Sequence, residues 1–259
     1  MNKNSNCKLQ AHRGVSTDAP ENTMAAFRLA VEQGYDIIEF DPKYTKDEVC
    51  VILHDRTLNR TGRIAGEAFG DEPVQITDKT FSELADIDVG QWFGRQYCGE
   101  HIPTLSQVLD YLKSVDMEAK IDNVVQRFSE EQILKMFDCI EKHGNDKVGL
   151  TCSDLGLLEK FAARFPKAPL HYDGPVSEEA LEQLERFADG HRTVVWMRLD
   201  IKATSWNKTP PVSKEYAALI KEKGFLLGVW ILHTQEEMKQ AIDVGADIVE
   251  TTGGIKPRK

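Results

Sequence analysis

Two histidines and three carboxylates stand out in this sequence because each lies in or just past a short apolar run. His12 follows KLQA, Glu39 and Asp41 sit in YDIIEFD, His54 follows VCVIL, and Glu118 opens EAKID. Such runs read as buried parallel strands, which are normally near-continuous Val, Ile and Leu. An ionised carboxylate withdrawn from water is costly unless a cation or hydrogen-bond donors offset the loss. Side chains two apart in a strand share a face, so Glu39 points with Asp41 and Glu118 with Lys120. Three acids from neighbouring strands, without CxxC or zinc-like histidine spacing, describe a site for a hard, oxygen-seeking cation, Mg2+ or Ca2+, in preference to zinc. Taken singly, acids at strand ends pair with Lys43, Lys46 or Lys120 in solvated salt bridges; as a set with two histidines they point to a metal centre.

An imidazole is matched to proton transfer near neutral pH, so His12 and His54 read as a general acid and base. Arg13 offers a planar fork suited to a phosphate, and Lys120 supplies a second positive charge. A cation, an arginine and a lysine facing one pocket imply a substrate whose negative charge grows in the transition state. Phosphoryl chemistry meets that requirement. Trp230 reads either as an apolar wall for the substrate's alcohol or as a core residue.

The elements that must position these groups alternate strand and helix. Barrel strands are expected near residues 9, 37, 118, 149, 170, 195, 228 and 248, with VCVILH left over as a hairpin partner of the second. Eight βα units in 259 residues predict an α/β fold of the (β/α)8, TIM-barrel type, in preference to a doubly wound open sheet with a Gly-rich first turn. In such a barrel the catalytic groups gather at the C-terminal strand ends. The chain reads as one domain over 1–259, with the irregular stretch 55–103, too long for an ordinary connection, as an inserted lid or small subdomain. Trp92, Phe93 and Tyr97 in that stretch read as its small core or as apolar contacts at the barrel mouth.

A formal net charge of -10 removes any global attraction for nucleic acid or an anionic membrane and leaves a small-molecule substrate as the expected partner. No run approaches the length of a membrane span, and the N-terminus passes from polar residues straight into a strand without a signal-type apolar segment. Five scattered cysteines suit free thiols in a reducing, cytoplasmic setting. Self-association leaves no mark in the sequence.

Beyond these readings, the segment AHRGVSTDAPENTMAAF resembles the HRG...PENT opening of the glycerophosphodiester phosphodiesterase family, and IIEFDPKYTKDEVCVILHDRTLNRTG resembles its E-x-D...TKD...HD block. EAK at 118–120 is similar to the family's E-x-K strand, and GVWILHTQEEMKQAIDVGADIVET to its closing strand-helix-strand. The resemblance implies a (β/α)8 barrel with an insertion after the second-strand hairpin and a divalent metal held by Glu39, Asp41 and Glu118. It further implies His12 and His54 as the acid-base pair, Arg13 and Glu21 lining the site, and Lys120 facing the phosphate. Departures fall at Pro42, at the Asp47-Glu48 turn, and at His233 and Glu250-Thr251 near the end. The implied activity is hydrolysis of glycerophosphodiesters, such as glycerophosphocholine or glycerophosphoethanolamine, to glycerol 3-phosphate and an alcohol. Alternatives are a lysophospholipase D-like lyase or transferase releasing a cyclic phosphate, and a non-catalytic barrel that binds a phosphodiester.

Overall fold

The computed structural model describes residues 7–144, 146–199 and 210–257; the polar residues 1–6, which precede the first strand, lie outside these. Eight parallel strands close into a barrel. In chain order they are β1 (Lys8–Ala11), β2 (Ile37–Phe40), β3 (Glu118–Ile121), β4 (Val148–Cys152), β5 (Leu170–Tyr172), β6 (Thr193–Arg198), β7 (Leu226–Leu232) and β8 (Ile248–Thr251). The ring closes where β1 pairs with both β8 and β2. Among the described residues seven helices cross between strands: α1 (Met24–Gln33), α2 (Leu105–Ser114), α3 (Glu130–His143), α4 (Leu155–Arg164), α5 (Glu178–Glu185), α6 (Lys214–Glu222) and α7 (Gln235–Asp243). The expected barrel thus forms from the expected strands.

Each helix begins on a side-chain cap. Thr23 accepts from the Ala26 amide at α1, and Thr104, Ser129 and Thr234 complete reciprocal capping boxes with Gln107, Gln132 and Glu237. These contacts satisfy amides that a helix start leaves without partners. The caps also fix where each strand-to-helix loop ends, and so the length of loop free to carry functional groups at the barrel mouth.

Two apolar layers support the mouth. The larger packs the outer faces of the strands against the helices, with Phe27, Phe40, Leu109, Phe137, Phe161 and Leu227 among its buried members. A smaller one plugs the barrel interior with Ile37, Val194, Trp196 and Ile248. Trp196 fits because its register partner is Gly228, where an added Cβ would stand 2.4 Å from the indole. Above that plug the interior turns polar: Gln10, Lys120 and Glu250 are all buried.

The hairpin expected after β2 is present, Pro42–Tyr44 against Cys50–Ile52. Its turn departs from an Asp-Gly type by placing Glu48 at φ 62. From there to α2 the chain forms a three-stranded antiparallel sheet of very short strands and several single-turn 3-10 helices. Leu58, Ile76, Leu84, Ile87, Val89 and Ile102 gather there with Val51 and Leu53 of the hairpin into a second hydrophobic cluster.

Candidate active site

The C-terminal ends of β2 and β3 bring three carboxylates together. Glu39 lies within β2, and Asp41 and Asp122 stand one residue beyond the ends of β2 and β3. The two strands pair in register, Glu39 with Lys120 and Phe40 with Ile121, so the next residues on each chain, Asp41 and Asp122, are neighbours. One oxygen from each of Glu39, Asp41 and Asp122 lies within 4.8 Å of the others.

Glu118 does not join this group, contrary to the sequence reading. It begins β3 at the opposite end of the barrel, hydrogen-bonded to Arg192 and 3.8 Å from the Lys8 ammonium. Asp122, four residues further along, stands beside Glu39 and Asp41 where the sequence reading expected Glu118. The missed signal is visible in the sequence: Asp122 directly follows an apolar strand, just as Asp41 follows IIEF.

The triad is held by neighbouring donors. The Arg13 amide donates to Glu39 at 2.8 Å, and the Asn22 amide nitrogen donates to Asp41 at 2.7 Å. Arg13 and Asn22 both adopt left-handed backbone, φ 60 and 58, and the Asn22 amide donates to the Arg13 carbonyl at 3.0 Å. Non-glycine residues rarely occupy that region, and clusters of them accompany functional sites. Asn22, just ahead of α1, orients an acid of the triad.

Electrostatics favour a cation at this point. Burial, with Asp41 and Glu250 nearby, pushes Glu39 well above the ordinary carboxylate range, and burial beside Asp41 raises Asp122 too. Glu39 Oε1 is buried without a hydrogen-bond partner among the described residues. An all-oxygen set strained in this way by its own negative charge is relieved by a hard divalent ion.

His12, Arg13, Asp41, His54, Lys120, Asp122 and Trp230 line one cavity of about 610 Å3. His12 Nε2 lies 4.0 Å from both Glu39 and Glu250. Burial, with Arg13 and Lys120 close by, pulls the His12 imidazole down to about 4, despite the opposing pull of Glu250. It is neutral at pH 7. His54 is half exposed and hydrogen-bonded through Nδ1 to Asp55 at 2.7 Å. Asp55 is somewhat buried, yet its bonds to Arg60 and His54 hold it down to about 2. An ionised carboxylate only accepts, so Nδ1 carries the proton and Nε2 is left for chemistry.

Lys120 reaches this cavity already engaged. Its ammonium donates to Glu250 at 2.9 Å and lies 4.6 Å from the centre of the Trp196 ring. Glu21, expected to line the site, stands behind it, bonded to Arg13 at 3.1 Å and to Arg60. Residues that the sequence reading passed over complete the far wall: Asn123, Gln126, Arg127, Ser153 and Asp173. Like Asp41 and Asp122, Asp173 immediately follows a barrel strand. Among the described residues, no helix is long and apolar enough to cross a membrane.

Fold and site define a (β/α)8 barrel whose polar groups converge on the C-terminal mouth. The chain belongs to the glycerophosphoryl diester phosphodiesterase family, whose pattern matches residues 12–251. It is 40% identical over 129 residues to a glycerophosphodiester phosphodiesterase of Caldanaerobacter subterraneus subsp. tengcongensis, an alignment that spans 48% of this chain and only half, 50%, of that relative. A glycerophosphodiester phosphodiesterase of Bacillus subtilis is 25% identical across 93% of this chain and 82% of its own length. Among solved structures, the Oleispira antarctica phosphodiesterase in complex with the product sn-glycerol-3-phosphate shares the fold, with a TM-score of 0.77 and 23% identity over 95% of this chain and 93% of that one.

Proposed function

We propose that this chain hydrolyses small glycerophosphodiesters, such as glycerophosphocholine or glycerophosphoethanolamine, to glycerol 3-phosphate and an alcohol, with Mg2+ or Ca2+ held by Glu39, Asp41 and Asp122. The observation that carries the reading is the convergence of Asp41 and Asp122 of that acidic triad, two imidazoles and Arg13 on one cavity. The product bound to the Oleispira antarctica phosphodiesterase supports the substrate class.

A divalent ion bound by the three acids would neutralise charge developing on a phosphate oxygen. The remaining work falls to this chain's own side chains. Arg13 presents its guanidinium to the phosphate while its own amide steadies Glu39. His12, neutral in its buried setting, takes a proton from the nucleophile at the cavity wall. His54 acts in its imidazolium form: Asp55 holds the Nδ1–H, and Nε2 gives its own proton to the departing oxygen, leaving a neutral ring. Lys120, fixed by Glu250, keeps a positive charge on the cavity floor, and Trp230 offers the alcohol an apolar wall. The segment 55–103 reaches this mouth through Asp55, which holds His54.

The test is release of glycerol 3-phosphate from glycerophosphocholine, followed by a coupled enzyme with EDTA and then with Mg2+ or Ca2+ restored. Cation-dependent release is expected. Intact substrate under all three conditions would refute the reading, and phosphorus NMR showing a stable cyclic phosphate would redirect it to a transferase.

A further inference from the structure

Arg60 lies outside the pocket and outside every role assigned above, yet its guanidinium makes four hydrogen bonds beside the site. Its Nε and Nη2 donate to the two oxygens of Asp55 at 2.6 and 3.2 Å, and its Nη1 and Nη2 donate to the two oxygens of Glu21 at 2.9 and 2.6 Å. One planar fork thus spans two carboxylates. Asp55 in turn holds His54 Nδ1 at 2.7 Å, and Glu21 holds Arg13 Nη1 at 3.1 Å. Arg13 leads on to Asp41, 3.4 Å from its Nε, and to Glu39 through its amide. The bonds form an unbroken path from His54 to the acidic triad, and Arg60 is its middle link.

The surroundings show why such a link is needed. The His54 side chain is 40% exposed, so packing alone does little to fix its ring. An isolated surface ion pair orders little either. Arg60 differs because both its partners are engaged through both oxygens and because its guanidinium lies 5.8 Å from the centre of the Trp92 ring. Trp92 is itself tied down, its indole donating to the Val89 carbonyl at 2.9 Å and its ring meeting Phe93 edge to face. Phe93 meets Tyr97 in the same manner, and the Tyr97 hydroxyl donates to the Asp18 carbonyl at 2.6 Å. Asp18 and Glu21 belong to the same β1–α1 loop, so the 55–103 segment grips that loop at two points.

We propose that Arg60 is a positioning residue: it braces Asp55 against His54 and Glu21 against Arg13, so that the segment following the hairpin sets the spacing between the proton-transfer and phosphate-holding halves of the site. This rests on the phosphodiesterase reading for its consequence in catalysis, but not for its geometry. Trp92, Phe93 and Tyr97 then serve as the stiff backing of the brace.

The test compares wild type with Arg60→Ala and Arg60→Lys at saturating cation, measuring kcat and KM for glycerophosphocholine, the melting temperature, and the exchange-protected Nδ1–H resonance of His54 by NMR. Arg60→Ala is expected to lower kcat about 10–100-fold, the range for lost supporting-shell partners, with a smaller change in KM and loss of the protected resonance. Millimolar guanidinium should restore several-fold of that kcat. Arg60→Lys should stay impaired, since an ammonium lacks the fork that serves both carboxylates. A kcat within twofold of wild type in Arg60→Ala would overturn the inference. So would a loss that guanidinium leaves untouched while the melting temperature falls, because that marks a merely structural role. If wild type releases no glycerol 3-phosphate, the functional reading fails and the resonance still decides the brace: its loss in Arg60→Ala upholds the positioning, and its persistence refutes it.

Discussion

At the N-terminal end of β3, Glu118 meets Arg192 and Lys8 and forms a salt bridge at the barrel floor. Four residues on, past the other end of the same strand, Asp122 meets Asp41 and Glu39, and Lys120 only partly offsets them. Burial beside Asp41 pushes its carboxyl up accordingly. Two acids on one strand therefore have opposite electrostatic fates. An acid at the floor is neutralised by this chain's own side chains and contributes to stability; acids gathered at the mouth repel each other, and that unfavourable arrangement makes sense where an ion is to be bound. The end of the strand, more than the residue type, decides the role.

Removing members of the mouth should have the largest effects. Glu39→Gln or Asp41→Asn is expected to abolish measurable glycerol 3-phosphate release and to remove the difference between EDTA-treated and cation-restored enzyme; a variant that keeps cation-dependent turnover would break the comparison. His12→Ala and His54→Ala should each lower kcat about 10²–10⁴-fold, the usual contribution of a positioned acid or base, with unchanged circular dichroism. Steady-state kinetics would sharpen the assignment, since equal and complete loss in both argues that neither imidazole substitutes for the other.

The interior plug below the mouth is predicted to respond in stability and not in chemistry. Gly228→Ala places a methyl 2.4 Å from Trp196. The overpacking should cost about 1–3 kcal/mol, read as a lower melting temperature with kcat changed far less than in the histidine variants. Asp55 offers a pH test at the rim. Its folded value of about 2 lies below the ordinary 3.8, so its stabilising contribution is complete above about pH 4 and fades as the pH falls toward about 2. The gap in melting temperature between wild type and Asp55→Asn should be constant from about pH 5 to 7 and close over that acid window; a gap independent of pH would contradict the ion-pair origin. Glu118→Gln should have the smallest effect: turnover within about twofold of wild type and at most ~1 kcal/mol of stability, as expected for a floor pair whose Lys8 and Arg192 partners are partly exposed.

Much of this was readable from the residues. The barrel strands announced themselves as apolar runs because both faces of a parallel barrel strand are covered, and Glu39, Asp41, His12 and Arg13 were conspicuous as interruptions of such runs. Glu118 was misplaced for a physical reason: a period of two puts positions 118, 120 and 122 on the same strand face, so facing alone does not discriminate between them. Their heights do, since four residues of strand span about 13 Å, and height depends on the register between β2 and β3, a relation between distant segments. Lys120 was read as phosphate-facing without its partner, because Glu250 lies 130 residues away in sequence. The region 55–103 was opaque for the same reason: its strands are two residues long, and its key bond, Arg60 to Glu21, joins residues 39 apart.

The central claim is that the acid after β3, and not the acid that begins it, completes the cation site. Isothermal titration of Ca2+ and Mg2+ into wild type, Asp122→Asn and Glu118→Gln tests it most directly. Wild-type binding retained in Glu118→Gln and weakened about 100-fold or more in Asp122→Asn, beyond the usual cost of losing a supporting partner, is the predicted result. Binding lost in Glu118→Gln and intact in Asp122→Asn would contradict the account.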